Sequence, residues 1–311
     1  MTEVERLLAQ AAHSEHPLIG QAVGHLVAAG GKRFRPLLTL IAAEFGPVGA
    51  GPEVLSAACV IELTHMATLY HDDVMDEAAI RRGRKSANSR WDNTVAILTG
   101  DYLFARASQI LADLGPEAVR IQAETFVQLV TGQVAETVGP GPGQDPLDHY
   151  MSVVKNKTAS LIATSGRFGG LLSGAPPEVT ARITPACEAL GVAFQLSDDI
   201  IDVASDSDQL GKASGTDLRE GVQTLPMLHA LRSPGPDGSR LTELLEAGEL
   251  TDPRLHAEAL ALLRAHPAMD AARADMRGWA SRARREIMAL PDVSARTAFE
   301  HLCDFVVERS G

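Results

Sequence analysis

Two short acidic motifs carry the chemistry that this chain offers most plainly. They are Asp72-Asp73-Val74-Met75-Asp76 and Asp198-Asp199-Ile200-Ile201-Asp202. Each has the form DDxxD inside an apolar stretch. Residues four apart share a helix face, so Asp72 pairs with Asp76 and Asp198 with Asp202. Carboxylates crowded on one turn repel each other. Neither motif has a Lys or Arg within four residues to offset that repulsion. A hard divalent cation with oxygen ligands is the natural partner. A single DDxxD is often only a solvated acidic helix end. A second copy at the same spacing, in another apolar helix, argues for chemistry. Two such clusters facing a common cavity would suit several Mg²⁺ ions and a diphosphate.

Cations of the right kind stand elsewhere in the chain. Gly30-Gly31-Lys32-Arg33-Phe34-Arg35-Pro36 brings three of them within four residues of an acidic protein. Its glycines permit close backbone approach, and Pro36 suits the first turn of a helix. Arg81-Arg82-Gly83 follows the first motif. Guanidinium groups grip phosphate oxygens in a bidentate fork and stay charged. Lys155 and Lys157 open a helix through Thr158 and Leu161. Lys212 stands ten residues after Asp202, in a Gly-punctuated loop that continues to Gly221. His65 is two turns before Asp72, and Gln195 precedes Asp198 by three. Both share a face with the carboxylates they precede.

The elements that position these groups read as helices. In 311 residues, apolar types make up 45% but aromatics only 4%. Ala, Leu and Val therefore carry the apolar load, which favours helix over sheet. Apolar residues recur at three- and four-residue steps over 54–70, 94–114, 118–138 and 180–203. Breakers separate them at 46–47, 49–52, 115–116, 139–146, 174–177 and 233–238. We expect an all-α fold: one large helical bundle with a central cavity, spanning 1–311 as a single domain. Its motif-bearing core would be 30–226, with further helices over 238–311.

Composition excludes other classes. A net charge of −12 disfavours nucleic-acid binding, which needs clustered cations along a phosphate backbone. Cys59, Cys187 and Cys303 are far apart and form no CxxC pair, so buried reduced thiols are expected rather than zinc or disulfides. Residues 1–10 lack the apolar centre of a signal peptide, and no long uncharged apolar run reads as a membrane span. A cytoplasmic protein without stable membrane insertion is the expectation. No Ser-His-Asp or Cys-His arrangement stands out.

Taken together and in order, the segments GGKRFRP at 30–36, HDDVMD at 71–76, RRG at 81–83, KTASL at 157–161, FQLSDDIID at 194–202 and the GTDLREG…TLP run ending at Pro226 resemble the trans-isoprenyl diphosphate synthases, or polyprenyl synthetase family. That resemblance implies an isoprenoid-synthase bundle and a Mg²⁺-dependent prenyltransferase. Such an enzyme condenses an allylic diphosphate (dimethylallyl, geranyl or farnesyl) with isopentenyl diphosphate, head to tail, releasing pyrophosphate. It implies that Asp72, Asp73, Asp76, Asp198, Asp199 and Asp202 bind three Mg²⁺. Arg81, Lys157 and Lys212 would contact the allylic diphosphate. Lys32, Arg35, His65 and Arg82 would bind isopentenyl diphosphate. Thr158 and Gln195 would line the reaction centre beside Lys157 and Lys212. The family commonly forms homodimers, with the 94–114 helix as the candidate face. It also commonly has a lysine where this chain has Val222.

Product length follows from what plugs the tunnel below the first motif. Thr68 lies one turn, ~5.4 Å, before Asp72, and Ala67 is its neighbour. Short-product members of the family tend to carry bulky aromatics there. Small Ala67 and Thr68 therefore imply a long product, C30 or beyond, over farnesyl or geranylgeranyl diphosphate, with 104–108 on a facing helix as a lower closure. A terpene cyclase would need neither GGKRFRP nor a second full DDxxD. A non-catalytic subunit of a heteromeric synthase would be expected to lose aspartates, and all six are present.

Overall fold

The computed structural model describes residues 1–205, 214–233 and 238–309. Among them the fold is helical apart from one two-stranded hairpin. The helices Pro52–Met75, Asn93–Asp113, Pro116–Val138 and Pro177–Ala204 match the predicted segments to within a few residues at each end. Many begin on a proline: Pro17, Pro52, Pro116, Pro146, Pro177 and Pro253 each open a helix, where the missing N–H is no loss. Asp92, Asp145 and Asp252 cap the helices that follow them by accepting backbone N–H bonds. Cys59, Cys187 and Cys303 are buried and are not joined in a disulfide.

The chain divides into two compact units. The first comprises Met1–Val127, Leu161–Cys187 and Ala289–Ala298. Its centre is the helix Pro52–Met75, packed by Asn93–Asp113, Phe34–Ala43 and Thr2–Ala11. Cys59, Val60, Ile61, Leu63, Met66 and Ala67 are all buried, so this helix is covered on every side rather than along one stripe. Glu62 is buried with them and meets Arg33 at 2.7 Å, while Arg33 also reaches Glu5 at 2.7 Å. Tyr70 is anchored by its hydroxyl on the Ala22 carbonyl, 2.6 Å away. Gly169 lets the helix Ser160–Leu172 approach Phe34–Ala43, since a Cβ there would stand 2.3 Å from the Thr39 carbonyl oxygen.

The second unit comprises Gln128–Ser160, Glu188–Met288 and Phe299–Gly311. Within it Leu225–Arg232 packs on Ala268–Met288 and Gly238–Glu246. The helix Pro146–Val153 runs into a π-helical turn, Val154–Ala159, before α-geometry resumes at Ser160. The sequence reading had Lys155 opening a helix. Instead the two lysines and Thr158 sit in a wide turn in the middle of one, a geometry frequent at functional sites.

Candidate active site

The first motif ends the helix Pro52–Met75. Asp72 and Asp73 lie on its last turn, but Asp76 is the C-cap residue and is exposed. The uninterrupted helical face expected for all three carboxylates is thus cut short by one residue. Asp73 is buried and bound by Arg81 Nε at 2.6 Å, and Asn88 donates to its backbone carbonyl at 2.9 Å. Burial raises the Asp73 pKa, and the neighbouring Arg81 guanidinium only partly offsets that. The acidic cluster therefore has a cation in place, from beyond the four-residue window of the sequence reading.

Arg81 and Arg82 do not sit in a plain loop. Ile80–Arg81 pairs antiparallel with Arg84–Lys85, with Arg82 and Gly83 forming the turn at φ 51° and 73°. Both positive φ values match the two-residue turn that suits strand twist. The turn sends Arg82 to the Gly30 carbonyl, and a Cβ on Gly31 would stand 3.0 Å from its guanidinium. The GGKRFRP segment and the RRG hairpin are thereby joined. Lys32 is exposed at this edge. Arg35 is half-buried, with its Nε buried and unpaired, and burial lowers its pKa. His65 is pushed well below the ordinary imidazole range by burial first, then by Arg35, Arg82, Arg81 and Arg33. Glu62 is already engaged by Arg33. A neutral imidazole amid this positive charge can donate to an anion without adding repulsion.

Ala67 is fully buried and Thr68 half-buried, its hydroxyl turned back to the His65 carbonyl at 2.8 Å. Of the 104–108 stretch, Phe104 packs edge-on against Phe126 at 4.6 Å and near His71 at 5.7 Å. Gly100 gives His71 its room, because a Cβ there would meet the imidazole at 2.3 Å.

In the second unit a cavity of about 470 Å³ is lined by Glu136, Tyr150, Lys157, Thr158, Gln195 and Asp199, among others. Lys157 pairs with Glu136. The Thr158 hydroxyl donates to Gln195 Oε1 at 3.0 Å, and Gln195 Nε2 donates to Asp199 Oδ1 at 2.8 Å. Tyr150 donates its hydroxyl to Asp199 Oδ2. Burial raises the Asp199 pKa to about 6, against the downward pull of the Tyr150 and Gln195 bonds. Asp202 turns away to the loop, accepting from the Thr216 and Asp217 amides at 3.2 Å each. Asp198 is met by Arg309, whose guanidinium also lies 4.4 Å over the Phe194 ring. Val222, where the family's lysine would stand, lines the same cavity and is exposed. Lys212 lies outside the described residues.

The donor sets are hard oxygens throughout, which suits Mg²⁺. Among the described residues, however, no three His, Cys, Asp or Glu side chains converge as a ready metal cage. Arg81, Arg309, Tyr150 and Gln195 hold Asp73, Asp198 and Asp199 instead. Sequence reasoning missed Glu136, Tyr150 and Arg309. Only Tyr150 carried a signal, being seven residues, two helical turns, before Lys157.

A profile of the Polyprenyl synthetase family matches residues 16–263. A nonaprenyl diphosphate synthase of Mycobacterium tuberculosis is 50% identical over 311 residues, covering 100% of this chain and 92% of the relative. A geranylgeranyl pyrophosphate synthase of Corynebacterium glutamicum, solved with calcium and isoprenyl diphosphate, superposes with a TM-score of 0.89 at 45% identity, covering 100% of this chain and 95% of that one. A decaprenyl diphosphate synthase of Rhodobacter capsulatus gives 0.90 at 36%, covering 100% and 96%. Among the described residues no helix is long and apolar enough to cross a membrane.

Proposed function

The chain belongs to the polyprenyl synthetase family, and from that premise we propose that it is a Mg²⁺-dependent trans-polyprenyl diphosphate synthase of the long-chain class. It joins an allylic diphosphate to successive isopentenyl diphosphates and releases pyrophosphate. The observation that carries this reading is that His65 and the first DDxxD share one helix, with Arg33, Arg35, Arg81 and Arg82 brought around His65 from the 30–36 segment and the hairpin: an anion-recognising set beside a cation-binding one. The full-length similarity to a nonaprenyl diphosphate synthase supports it. The motifs in both units serve one activity, so we read 1–311 as a single functional domain.

Asp72, Asp73 and Asp76 would hold Mg²⁺ at the first motif, and Asp198 and Asp199 at the second, with Asp202 fixing the loop behind it. Bound Mg²⁺ would supply charge neutralisation to the diphosphate leaving group. Arg81 and Lys157 add fixed positive charge to the departing oxygens. Lys32, Arg35, His65 and Arg82 grip the diphosphate of isopentenyl diphosphate. The Gln195 amide is oriented by Asp199, so its carbonyl oxygen, not its NH₂, faces Thr158. That dipole places partial negative charge beside the developing allylic cation. Asp199 must be ionised to ligate metal, and its pKa of about 6 leaves it so at neutral pH.

Product size tests the reading. Incubation with farnesyl and isopentenyl diphosphates is expected to give products of C30 or longer by mass spectrometry; a dominant C15 or C20 product would sink the long-chain assignment. Ala67→Phe is expected to shift the distribution to shorter chains. Because Ala67 is fully buried, the ring also brings a destabilisation of about 1–3 kcal/mol from overpacking.

A homodimer completes the proposal. Ile97 and Leu98 on Asn93–Asp113, with Phe126 and Val127 on Pro116–Val138, are large apolar residues left exposed in the first unit. Clusters of that kind mark association faces. Sedimentation is expected to give twice the chain mass, and Leu98→Glu to lower it to one; a monomeric parent chain refutes this part.

A further inference from the structure

Two side chains, each a neutral donor, hold the two oxygens of Asp199. Gln195, one turn earlier on the same helix, takes Oδ1. Tyr150, from the helix Pro146–Val153, takes Oδ2. Tyr150 is itself well fixed. Asp145 caps its helix by accepting from the Leu147 and Asp148 amides at 2.8 and 3.2 Å, and Arg232 pairs with the same Asp145. The Tyr150 ring lines the 470 Å³ cavity with Lys157, Thr158 and Gln195.

Resting on the function proposed above, we propose that Tyr150 is a positioning residue: it locks the Asp199 carboxylate in the plane and rotamer from which it ligates Mg²⁺. A carboxylate held by one donor can rotate about its Cβ–Cγ bond. Held at both oxygens, it presents one remaining lone-pair direction on each. Partners behind metal ligands act in this way, and removing one typically weakens metal binding about 10- to 100-fold. The amide of Gln195 holds the other oxygen: its carbonyl accepts from Thr158 and its NH₂ donates to Oδ1, so Oδ2 is left to Tyr150.

The test is Tyr150→Phe, which keeps the ring and removes only the hydroxyl. Mn²⁺ binding to the full chain with inorganic pyrophosphate, followed by electron paramagnetic resonance, is the readout. The variant is expected to raise the Mn²⁺ dissociation constant about tenfold, while kcat at saturating Mg²⁺ falls far less than the apparent metal affinity. A double-mutant cycle places the effect: in an Asp199→Asn background, Tyr150→Phe is expected to leave Mn²⁺ binding within about twofold. Unchanged Mn²⁺ affinity in Tyr150→Phe, with only a lowered Tm, makes the hydroxyl merely structural and overturns this proposal alone. An equal loss in the Asp199→Asn background also overturns it, since the hydroxyl would then act elsewhere. Failure of the unaltered chain to bind Mn²⁺ with pyrophosphate overturns the functional reading and this inference together.

Discussion

Asp72→Asn combined with Asp73→Asn is expected to lower the rate of pyrophosphate release about a thousandfold or more while the protein folds as before. Metal-borne charge stabilisation amounts to several kcal/mol, and each 1.36 kcal/mol is about a factor of ten in rate. Folding should be spared for a reason visible at Asp73. Burial raises its pKa despite Arg81, so the ionised form is disfavoured in the fold relative to the unfolded chain. A group with a raised folded pKa gives up stability as the pH climbs from the unfolded-chain value through the folded one. A neutral isostere of the same shape removes that penalty, and its Oδ1 can still accept from Arg81. Relief of repulsion on the turn works in the same direction. The melting temperature is therefore expected to stay within about 4 °C of the parent, the shift that roughly 1 kcal/mol produces in a chain of this class. Pyrophosphate release near the parental rate at limiting Mg²⁺ would remove the first motif from the metal site.

Gly132→Ala should be nearly as damaging without touching a charged group. In an ordinary helix this change gains about 1 kcal/mol. Here a Cβ would stand 2.7 Å from the Lys157 amide nitrogen and 3.0 Å from the Asn156 Cβ. The obstacle is backbone, which cannot swing aside, so overpacking of about 1–3 kcal/mol outweighs the helix gain. The yielding element would be the π-helical turn that carries Lys157 and Thr158. A displacement of about 1 Å in catalytic groups can lower a rate about 100-fold. We expect a loss of that order in kcat together with a lowered Tm. Gly24→Ala is the control: it lies within the helix Pro17–Ala28 with nothing within 4 Å of the added Cβ, and should stabilise. Parental kcat in Gly132→Ala would show that the close approach has no role in holding the lysine.

What the sequence disclosed and what it hid divide along physical lines. Long helices were legible because burial imposes a 3.6-residue rhythm; the predicted 94–114 segment became Asn93–Asp113, set by the Asp92 cap. The motif residues were legible because carboxylates and guanidiniums are conspicuous in apolar surroundings. The hairpin was not, since two-residue strands cannot show an alternation. Nor was the π-helical turn, whose Lys157 amide lies against Gly132, 25 residues earlier in the chain. The Arg309 contact to Asp198 spans 111 residues, a separation that no local pattern reports. The first motif's cation, Arg81, stands just past the helix end, and Asp198 is met by Arg309 from 111 residues on, so neither shows within the motif's own turn.

The backbone angles carry a lesson for anyone seeking a hardier protein. Among the described residues, three other than glycine sit at positive φ: Arg33, Glu77 and Arg82. By conformational energy each is an equal target for replacement by Gly or Asn, since left-handed backbone disfavours ordinary side chains by about 1–2 kcal/mol. They are not equal in use. Arg33 neutralises buried Glu62, and Arg82 is aimed by its turn at the Gly30 carbonyl, which joins the hairpin to the 30–36 segment. Glu77 is exposed just past the first motif and adds one more negative charge there. Only at Glu77 do thermal robustness and turnover stop competing.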